Sequence, residues 1–329
     1  MPGGNGGIRK KKVGIHRQEK KAGEGRQQGY REEVLKMKNK GNDVTERQGN
    51  RGWKAACVLF LGAALICTAV ACAGKENQSR AEDEYEKLSE QTGGTASTPE
   101  PEEAEPESEI PVETEEPPEE KDPMAVLEEL GVPVPEKTVD FAELKENTNE
   151  DIYAWIYIPD TKIDYPVLQH PTDNYYYLNY NLDGSKGYPG CIYTEDYNKK
   201  DFTDPVTVMY GHNMKNGTMF AGLHRYSDSL YMEEHPYVYI YTEEGLLVYE
   251  VFSAHEYSDA HILYNHDYTQ STEFEGYLED IRNARDMGRV LREDVEVTEE
   301  SRILTLSTCI ANKPNNRFLV QGVLLNGEQ

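Results

Sequence analysis

The stretch from Arg302 to Leu325 reads RILTLSTCIANKPNNRFLVQGVLL and contains two apolar runs around a polar centre. Each run is rich in Leu, Ile and Val, and turn-favouring Asn and Pro lie between them, so the pattern predicts two β-strands. Because side chains alternate between the faces of a strand, Thr305, Ser307 and Cys309 share one face, which is the more polar one. The stretch therefore predicts a β-rich domain with a thiol near the end of a strand.

Five earlier segments carry the same pattern of β-branched and aromatic residues bounded by Gly, Pro, Asn and Asp. Short strands joined by turns and irregular loops fit a closed or nearly closed barrel better than a parallel α/β sheet. We therefore expect a mostly β fold. The segments are Ala154–Ile158, Gly190–Tyr193, Pro205–Tyr210, Tyr237–Tyr241 and Leu246–Phe252.

Three helices are predicted in the same part of the chain. Met124 to Leu130 and Asp140 to Asn147 are short helical segments, and Asp140 caps the second, with Glu143 at the capping-box position. Later in the chain, apolar residues recur at helical spacing ahead of Gly288, which is placed to stop a helix that packs on the barrel by one face. The recurring residues are Phe274, Tyr277, Leu278 and Ile281.

The chain divides into four segments of distinct composition. Residues 1–54 contain 15 Lys and Arg against 6 Asp and Glu, which predicts a basic, disordered tail. Residues 55–74 carry no charge, and 20 residues at about 1.5 Å each match a hydrocarbon core of about 30 Å, so they predict a transmembrane helix. Residues 75–122 are rich in Pro and Glu and predict a disordered, extended spacer. Residues 123–329 have the composition of a globular domain.

The charges on either side of residues 55–74 predict the membrane topology. The preceding tail is basic and the following spacer is acidic, so the positive-inside rule places the N-terminus in the cytoplasm. We therefore expect a single-pass protein of the cell membrane, held in the bilayer by one helix, with its folded domain outside the cell. A cleaved signal is the alternative, because Ala69, Val70 and Ala71 resemble a signal-peptidase site and precede Cys72 as in a lipoprotein box. The long basic tail favours an uncleaved anchor.

Composition excludes several classes of partner. The formal net charge is −26, and because the tail is basic, the rest of the chain is more acidic still and repels nucleic acid. Of the five cysteines only Cys191 and Cys309 lie outside the apolar run, which is not a disulfide framework, although a bond between these two stays open. No HExxH motif or DxDxDG calcium loop occurs, so we expect no metal and no cofactor.

Cys309, Arg317 and His212 are the candidate catalytic residues. A strand end suits a nucleophilic thiol, although an isolated cysteine in a strand is more often a small core residue. Arg317 begins the next strand, and the loop 310–316 could return the chain so that Arg317 stands beside Cys309. Its permanent charge could stabilise a thiolate or an oxyanion, or form only a surface ion pair. His212 follows an apolar strand, where it could act as a general acid or base.

The other histidines of the domain compete with His212 for this role. They lie in predicted loops or helix starts without a comparable strand-end setting, so we interpret each as a solvated side chain. These residues are His170, His224, His235, His255, His261 and His266.

Tyr210-Gly-His-Asn-Met214 and Thr305-Leu-Ser-Thr-Cys309, together with Arg317, resemble the sortase family, specifically class B. The resemblance spans about residues 140–325. Supporting segments are Trp155–Pro159, Ile163–Val167, Asp173–Leu178, Gly217–Phe220 and the predicted helix over 273–287.

The resemblance implies a closed sortase-type β-barrel of about eight strands, with N-terminal helices and one helix inserted late in the domain. It implies that Cys309 is the nucleophile, that His212 is the general acid or base, and that Arg317 binds substrate near the oxyanion. Residues 123–329 would then be the catalytic domain. Four residues match positions around the substrate in this family: Tyr210, Asn174, Ser307 and Thr308.

The resemblance also implies the reaction of a cysteine transpeptidase, a thiol hydrolase of the peptidase type. Such an enzyme cleaves a C-terminal sorting motif of a surface protein after Thr and forms a thioacyl enzyme. An amine of a peptidoglycan precursor or crossbridge then resolves it. Three alternatives stay open: a sortase that polymerises pilins, a plain cysteine protease, and a non-catalytic module that binds the cell wall.

Overall fold

Apolar and alternating runs form nine β-strands in the computed structural model, which describes residues 74–93, 122–286 and 288–327. All seven predicted strands are present; β5 and β6 extend beyond their predicted bounds, β4 is one residue shorter, and the other four are shifted. The strands are β1 (Ile152–Tyr157), β2 (Asp164–Leu168), β3 (Ile192–Thr194), β4 (Val206–Tyr210), β5 (Tyr237–Thr242), β6 (Leu246–Ser258), β7 (Val290–Leu291), β8 (Ile303–Ile310) and β9 (Lys313–Leu324).

Helices precede the barrel and fill its connections. The predicted cap is confirmed, since Asp140 accepts a hydrogen bond from the Glu143 backbone N–H at 2.9 Å. The helices are α1 (residues 74–91), α2 (Pro123–Glu129), α3 (Phe141–Asn147), α4 (Tyr176–Asn179), a 3₁₀ helix (Phe220–Ser227), α5 (Ser229–Glu234), α6 (Ile262–Asn265) and α7 (Ser271–Asn283).

The strands form one sheet that closes on itself. Their order is β5-β1-β2-β3-β4-β8-β9-β6-β7, and β5 also pairs with β6, so eight strands make a closed barrel while the two-residue β7 extends the β6 edge. The β2–β3 and β4–β8 pairs are parallel, and the other pairs are antiparallel. Closure satisfies the backbone groups that an open sheet would leave at its edges. The predicted closed barrel is confirmed.

Two apolar clusters hold the barrel. All six residues of β1 are buried, and Leu127 and Phe141 from the short helices join β1 in the larger cluster. The smaller cluster lies between α7 and residues of β4, β6, β8 and β9. Phe274 and Ile281, two of the four residues with predicted helical spacing, are 1% and 3% exposed and belong to it. The helix therefore packs on the barrel by one face, as predicted.

Helix α7 and strand β2 differ from the sequence expectation. Helix α7 ends at Asn283 and does not reach Gly288, because Ala284 already leaves helical backbone geometry with φ −52° and ψ 131°. Strand β2 was not predicted as a strand. It is only five residues long and contains Pro166, yet it pairs with both β1 and β3. Long-range pairing therefore decides its structure, and local sequence does not.

The first part of the predicted disordered spacer is helix α1. Ala81, Tyr85 and Leu88 are buried at helical spacing, and Arg80 pairs with Asp183 at 2.9 Å. The average composition concealed this face because charged and polar residues occupy the other positions. The rest of the spacer, over residues 94–121, the tail of residues 1–54 and the predicted transmembrane helix up to residue 73 lie outside the described residues.

No helix in the described part of the chain combines the length and the apolar composition needed to cross a membrane.

His255 lies inside β6, buried to 4% exposure, and the prediction that it is a solvated loop residue is wrong. Burial lowers its pKa to about 4. The unfolded chain binds a proton on this side chain below about pH 6.5, whereas the folded protein does so only near pH 4. The contribution of neutral His255 to the free energy of unfolding is therefore fully present above about pH 6.5 and is lost as the pH falls towards 4.

Replacing His255 with Gln should remove this dependence on pH. Between pH 7 and 4 the free energy of unfolding of the wild type should fall by roughly 3 kcal/mol more than that of His255→Gln, measured by urea unfolding. Ser258→Ala, at an exposed position of the same strand, is the matched control and should follow the wild type. Parallel curves for the wild type and His255→Gln would contradict the argument.

Candidate active site

Cys309 and Arg317 face each other across the β8–β9 pair. The prediction that they lie on neighbouring strands is therefore confirmed, but the connection is shorter than expected. Strand β8 continues to Ile310, β9 begins at Lys313, and Asn312 has a positive φ of 62° in the turn. Ile310 pairs with Lys313 while Cys309 pairs with Arg317, so the residues between Lys313 and Arg317 form a bulge.

The thiol of Cys309 is exposed and unbonded, whereas Cys191 is buried, and both cysteines are free. The two alternatives of a core thiol and of a Cys191–Cys309 disulfide are therefore wrong. Thr305 and Ser307, which precede Cys309 on the same face, are 0% and 3% exposed. The polar face is thus covered until the last residues of β8, where the thiol reaches the surface.

The guanidinium of Arg317 is held by the bulge beside it. Its Nη1 donates to the carbonyls of Pro314 at 3.1 Å and Asn316 at 3.0 Å. No carboxylate among residues 74–93, 122–286 and 288–327 forms an ion pair with it, so the surface ion pair left open by the sequence is not formed there. A planar guanidinium with further N–H donors therefore stands opposite the thiol strand, and no carboxylate of the described residues neutralises it.

The parallel β4–β8 pair brings His212 to the same edge of the sheet as Cys309. Tyr210 lies opposite Ser307, and His212 and Cys309 each follow by two residues. Backbone and side-chain bonds continue this pairing beyond the end of β4. Gly211 donates its N–H to the Ser307 carbonyl at 3.2 Å and accepts from the Thr308 hydroxyl at 2.8 Å.

The ring of His212 has one defined hydrogen-bond partner. Its Nε2 lies 2.8 Å from the carbonyl of Leu178, and because a carbonyl only accepts, Nε2 carries the hydrogen and Nδ1 keeps a lone pair. Burial lowers the pKa of His212 below its ordinary value, partly offset by this bond. At neutral pH the imidazole is therefore uncharged and can accept a proton at Nδ1.

Asn213 and His224, which the sequence did not identify as site residues, contact the carbonyl of Cys309. The Nδ2 of Asn213 carries two hydrogens and lies 2.9 Å from the Cys309 carbonyl and 2.9 Å from Nε2 of His224. His224 is half-buried in the 3₁₀ helix and stacks on Phe318, with ring centroids 4.8 Å apart. The prediction that His224 is a solvated side chain is therefore wrong. For Asn213, the sequence offered one indication of a place in the site, namely that it directly follows His212.

The predicted substrate-binding residues fall into two groups. Tyr210 is half-buried and stacks on Tyr193, whose pKa is raised mainly by burial. Tyr193, which was not predicted, lies opposite Tyr210 on β3.

Asn174 is held by two hydrogen bonds with Asp196, at 2.6 and 2.8 Å. In contrast, Ser307 and Thr308 are buried, and the Thr308 hydroxyl bonds to the Gly211 carbonyl, so Thr308 supports the β4–β8 junction. In the part of the chain that the structure describes, no group of three or more His, Cys, Asp or Glu is arranged to hold a metal.

The barrel and this edge constellation define a sortase. The sortase domain family model matches residues 156–325, and the chain belongs to the sortase family. Curated relatives place it in class B. The Sortase B of Listeria monocytogenes is 38% identical over 184 residues, which cover 55% of this chain and 72% of that protein. The Sortase B of Staphylococcus aureus is 30% identical over 167 residues, which cover 51% and 66%.

Solved structures agree with this assignment. The sortase B of B. anthracis matches with a TM-score of 0.50 at 30% identity over 57% of this chain and 84% of its own. The sortase B of Clostridium perfringens matches with a TM-score of 0.50 at 29% identity over 56% and 99%. The protein is a class B sortase.

The two cysteines of the domain should react differently with an alkylating reagent. Iodoacetamide should modify Cys309 in the folded protein and leave Cys191 unmodified, because burial raises the pKa of Cys191 to about 12 and shields its sulfur. Peptide mapping by mass spectrometry reads both sites. Cys191 should become reactive in urea. Labelling of Cys191 before Cys309 in the folded protein would refute the claim that Cys309 is the accessible thiol and Cys191 the buried one.

Proposed function

We propose that this sortase-type transpeptidase cleaves the C-terminal sorting motif of surface proteins after Thr and joins the new carboxyl end to an amine of cell-wall peptidoglycan. The observation that carries the proposal is the register at the barrel edge. It sets Cys309 opposite Arg317 and brings His212 to the same edge from the adjacent parallel strand.

In the first step the sulfur of Cys309 attacks the carbonyl carbon of the motif's Thr. The thiol proton moves to Nδ1 of His212, and the imidazolium then protonates the departing amine, so a C–S bond forms as the C–N bond breaks. Arg317 donates hydrogen bonds to the oxygen that gains negative charge. The surface protein is then held as a thioester on the enzyme.

In the second step an amine attacks the thioester. The new C–N bond replaces the C–S bond, His212 takes the proton of the amine, and the Cys309 sulfur leaves and is reprotonated. An amide is broken and an amide is formed, so the exchange needs no redox partner and no cofactor. Water competes with the amine and gives a free acid.

The cellular setting belongs to the same proposal. Residues 55–74 anchor the chain as one transmembrane helix, with the N-terminus in the cytoplasm and the catalytic domain outside. The support is the charge asymmetry across this segment. The partners are then surface proteins with a sorting motif and the amine of a peptidoglycan precursor or crossbridge.

The proposal predicts a covalent intermediate on Cys309. The full chain incubated with libraries of LPxTG-like and NPxTx-like peptides should give a thioacyl adduct on Cys309, detected by mass spectrometry, and an added amine should convert it to an amide product. Cys309→Ala should form no adduct, while Cys191→Ala serves as the matched cysteine control.

The same assay separates the alternatives. A plain protease gives only acid when amine is present, and a non-catalytic wall-binding module gives no adduct and keeps its binding in Cys309→Ala. Comparing a lysine-containing pilin peptide with a crossbridge-like peptide amine as acceptor distinguishes pilus polymerisation from wall attachment.

Arg317→Lys should lower kcat by roughly 100-fold with a smaller change in KM. The charge remains, but an ammonium lacks the planar fork that the Pro314 and Asn316 carbonyls orient. Arg225→Lys, whose guanidinium lies over the Tyr231 ring, is the matched control and should keep wild-type kinetics. Equal activity of Arg317→Lys and the wild type would show that geometry at this position is unimportant.

A further inference from the structure

Helix α1 bonds to the segment that supports the catalytic histidine. This segment, residues 177–191, is called here the histidine-support loop. Tyr85 of α1 is 4% exposed, and its hydroxyl donates to the Gly190 carbonyl at 2.7 Å. Its ring packs edge-on against Tyr165, with centroids 5.3 Å apart and an interplanar angle of 86°. The contact with Tyr165 therefore fixes the orientation of the Tyr85 ring, so that its hydroxyl points at the loop.

The histidine-support loop is closed by its own hydrogen bonds. Cys191 donates its N–H to the Tyr177 carbonyl at 2.9 Å, which brings the two ends of the loop together. Gly190 donates its N–H to the side-chain oxygen of Asn181 at 2.9 Å. Tyr85 adds the bond to the carbonyl of the same glycine, so both polar backbone groups of Gly190 are occupied.

His212 contacts both ends of this loop. Its Nε2 donates to the Leu178 carbonyl at 2.8 Å. Gly190 has a φ of +69°, and a Cβ added there would lie 2.8 Å from the Tyr177 carbonyl oxygen and 3.4 Å from Cδ2 of His212. The backbone of Gly190 thus lies directly against the ring, and its position helps to set where the imidazole sits.

We propose that Tyr85 is a positioning residue for His212, acting through its hydrogen bond to Gly190. Tyr85 does not touch the reacting atoms. It holds the Gly190 side of the cleft that orients the imidazole, whereas the partner of Arg80 in the same loop, Asp183, lies seven residues before Gly190. Arg80 pairs with Asp183 in an exposed position, and Ser89 donates to Asp164 of β2 at 2.5 Å. As far as it concerns catalysis, the inference rests on the proposed transpeptidation.

Tyr85→Phe tests this inference, because it keeps the ring and its contact with Tyr165 but removes the bond to Gly190. In the full chain, kcat of peptide cleavage should fall roughly 10-fold, since small displacements of a catalytic group cost large factors in rate. KM should stay within about twofold, because the variant leaves the substrate contacts in place.

Ser89→Ala is the matched control. It removes a bond between α1 and β2 without touching the histidine-support loop, so it should lower the melting temperature about as much as Tyr85→Phe while keeping wild-type kcat. Equal loss of kcat in both variants, or unchanged kcat in Tyr85→Phe, would overturn the positioning role.

A second measurement does not depend on activity. The pKa of His212 is lowered mainly by burial, the Leu178 carbonyl opposes this, and Tyr188 is in ring contact with it. If the loop loosens, His212 should titrate closer to its ordinary pKa in Tyr85→Phe, while Ser89→Ala should match the wild type.

The titration can be followed by NMR of the full chain labelled at histidine Cε1, with His212→Asn used to assign the signal. Identical titration of His212 in Tyr85→Phe and the wild type would also overturn the inference. If the wild type cleaves no peptide, the proposed function fails, but this titration still decides the role of Tyr85.

Discussion

The parallel pairing of β4 with β8 is the constraint on which the site depends. Because Tyr210 lies opposite Ser307, His212 and Cys309, each two residues further along, lie at the same level of the sheet. A slip of one residue would turn one of the two side chains to the other face of the sheet. The Gly211 and Thr308 hydrogen bonds lock this register just past the end of β4, next to His212 and Cys309 in the chain. The buried polar groups at this junction thus fix the relative positions of His212 and Cys309.

The antiparallel β8–β9 pair adds Arg317 to His212 and Cys309 at this edge of the barrel. A short turn at Asn312 and a bulge ahead of Arg317 let the two strands meet with the cysteine and the arginine in register. The bulge also provides the carbonyls that hold the guanidinium. The bulge therefore both brings Arg317 into register with Cys309 and orients its guanidinium. This part of the site is thus organised without a bound substrate.

Much of this arrangement could be predicted from sequence, because β8, β9 and α7 carry strong local periodicity. The strand-end placement of Cys309 and the neighbouring position of Arg317 followed from the same periodicity. Strand β2 could not be predicted, since its pairing partners supply what its short sequence lacks. The roles of Asn213 and His224 depend on a backbone carbonyl distant in sequence, which no local pattern reveals.

Helix α1 shows where composition misleads, since one buried stripe lies within an acidic segment. The family match begins at residue 156, yet packed structure that reaches the histidine-support loop begins before it. The segment that the family model matches is thus shorter than the folded unit that shapes the site. Two class B sortases could share every residue of the barrel edge and still differ in how firmly the histidine is held, through residues that lie outside this match.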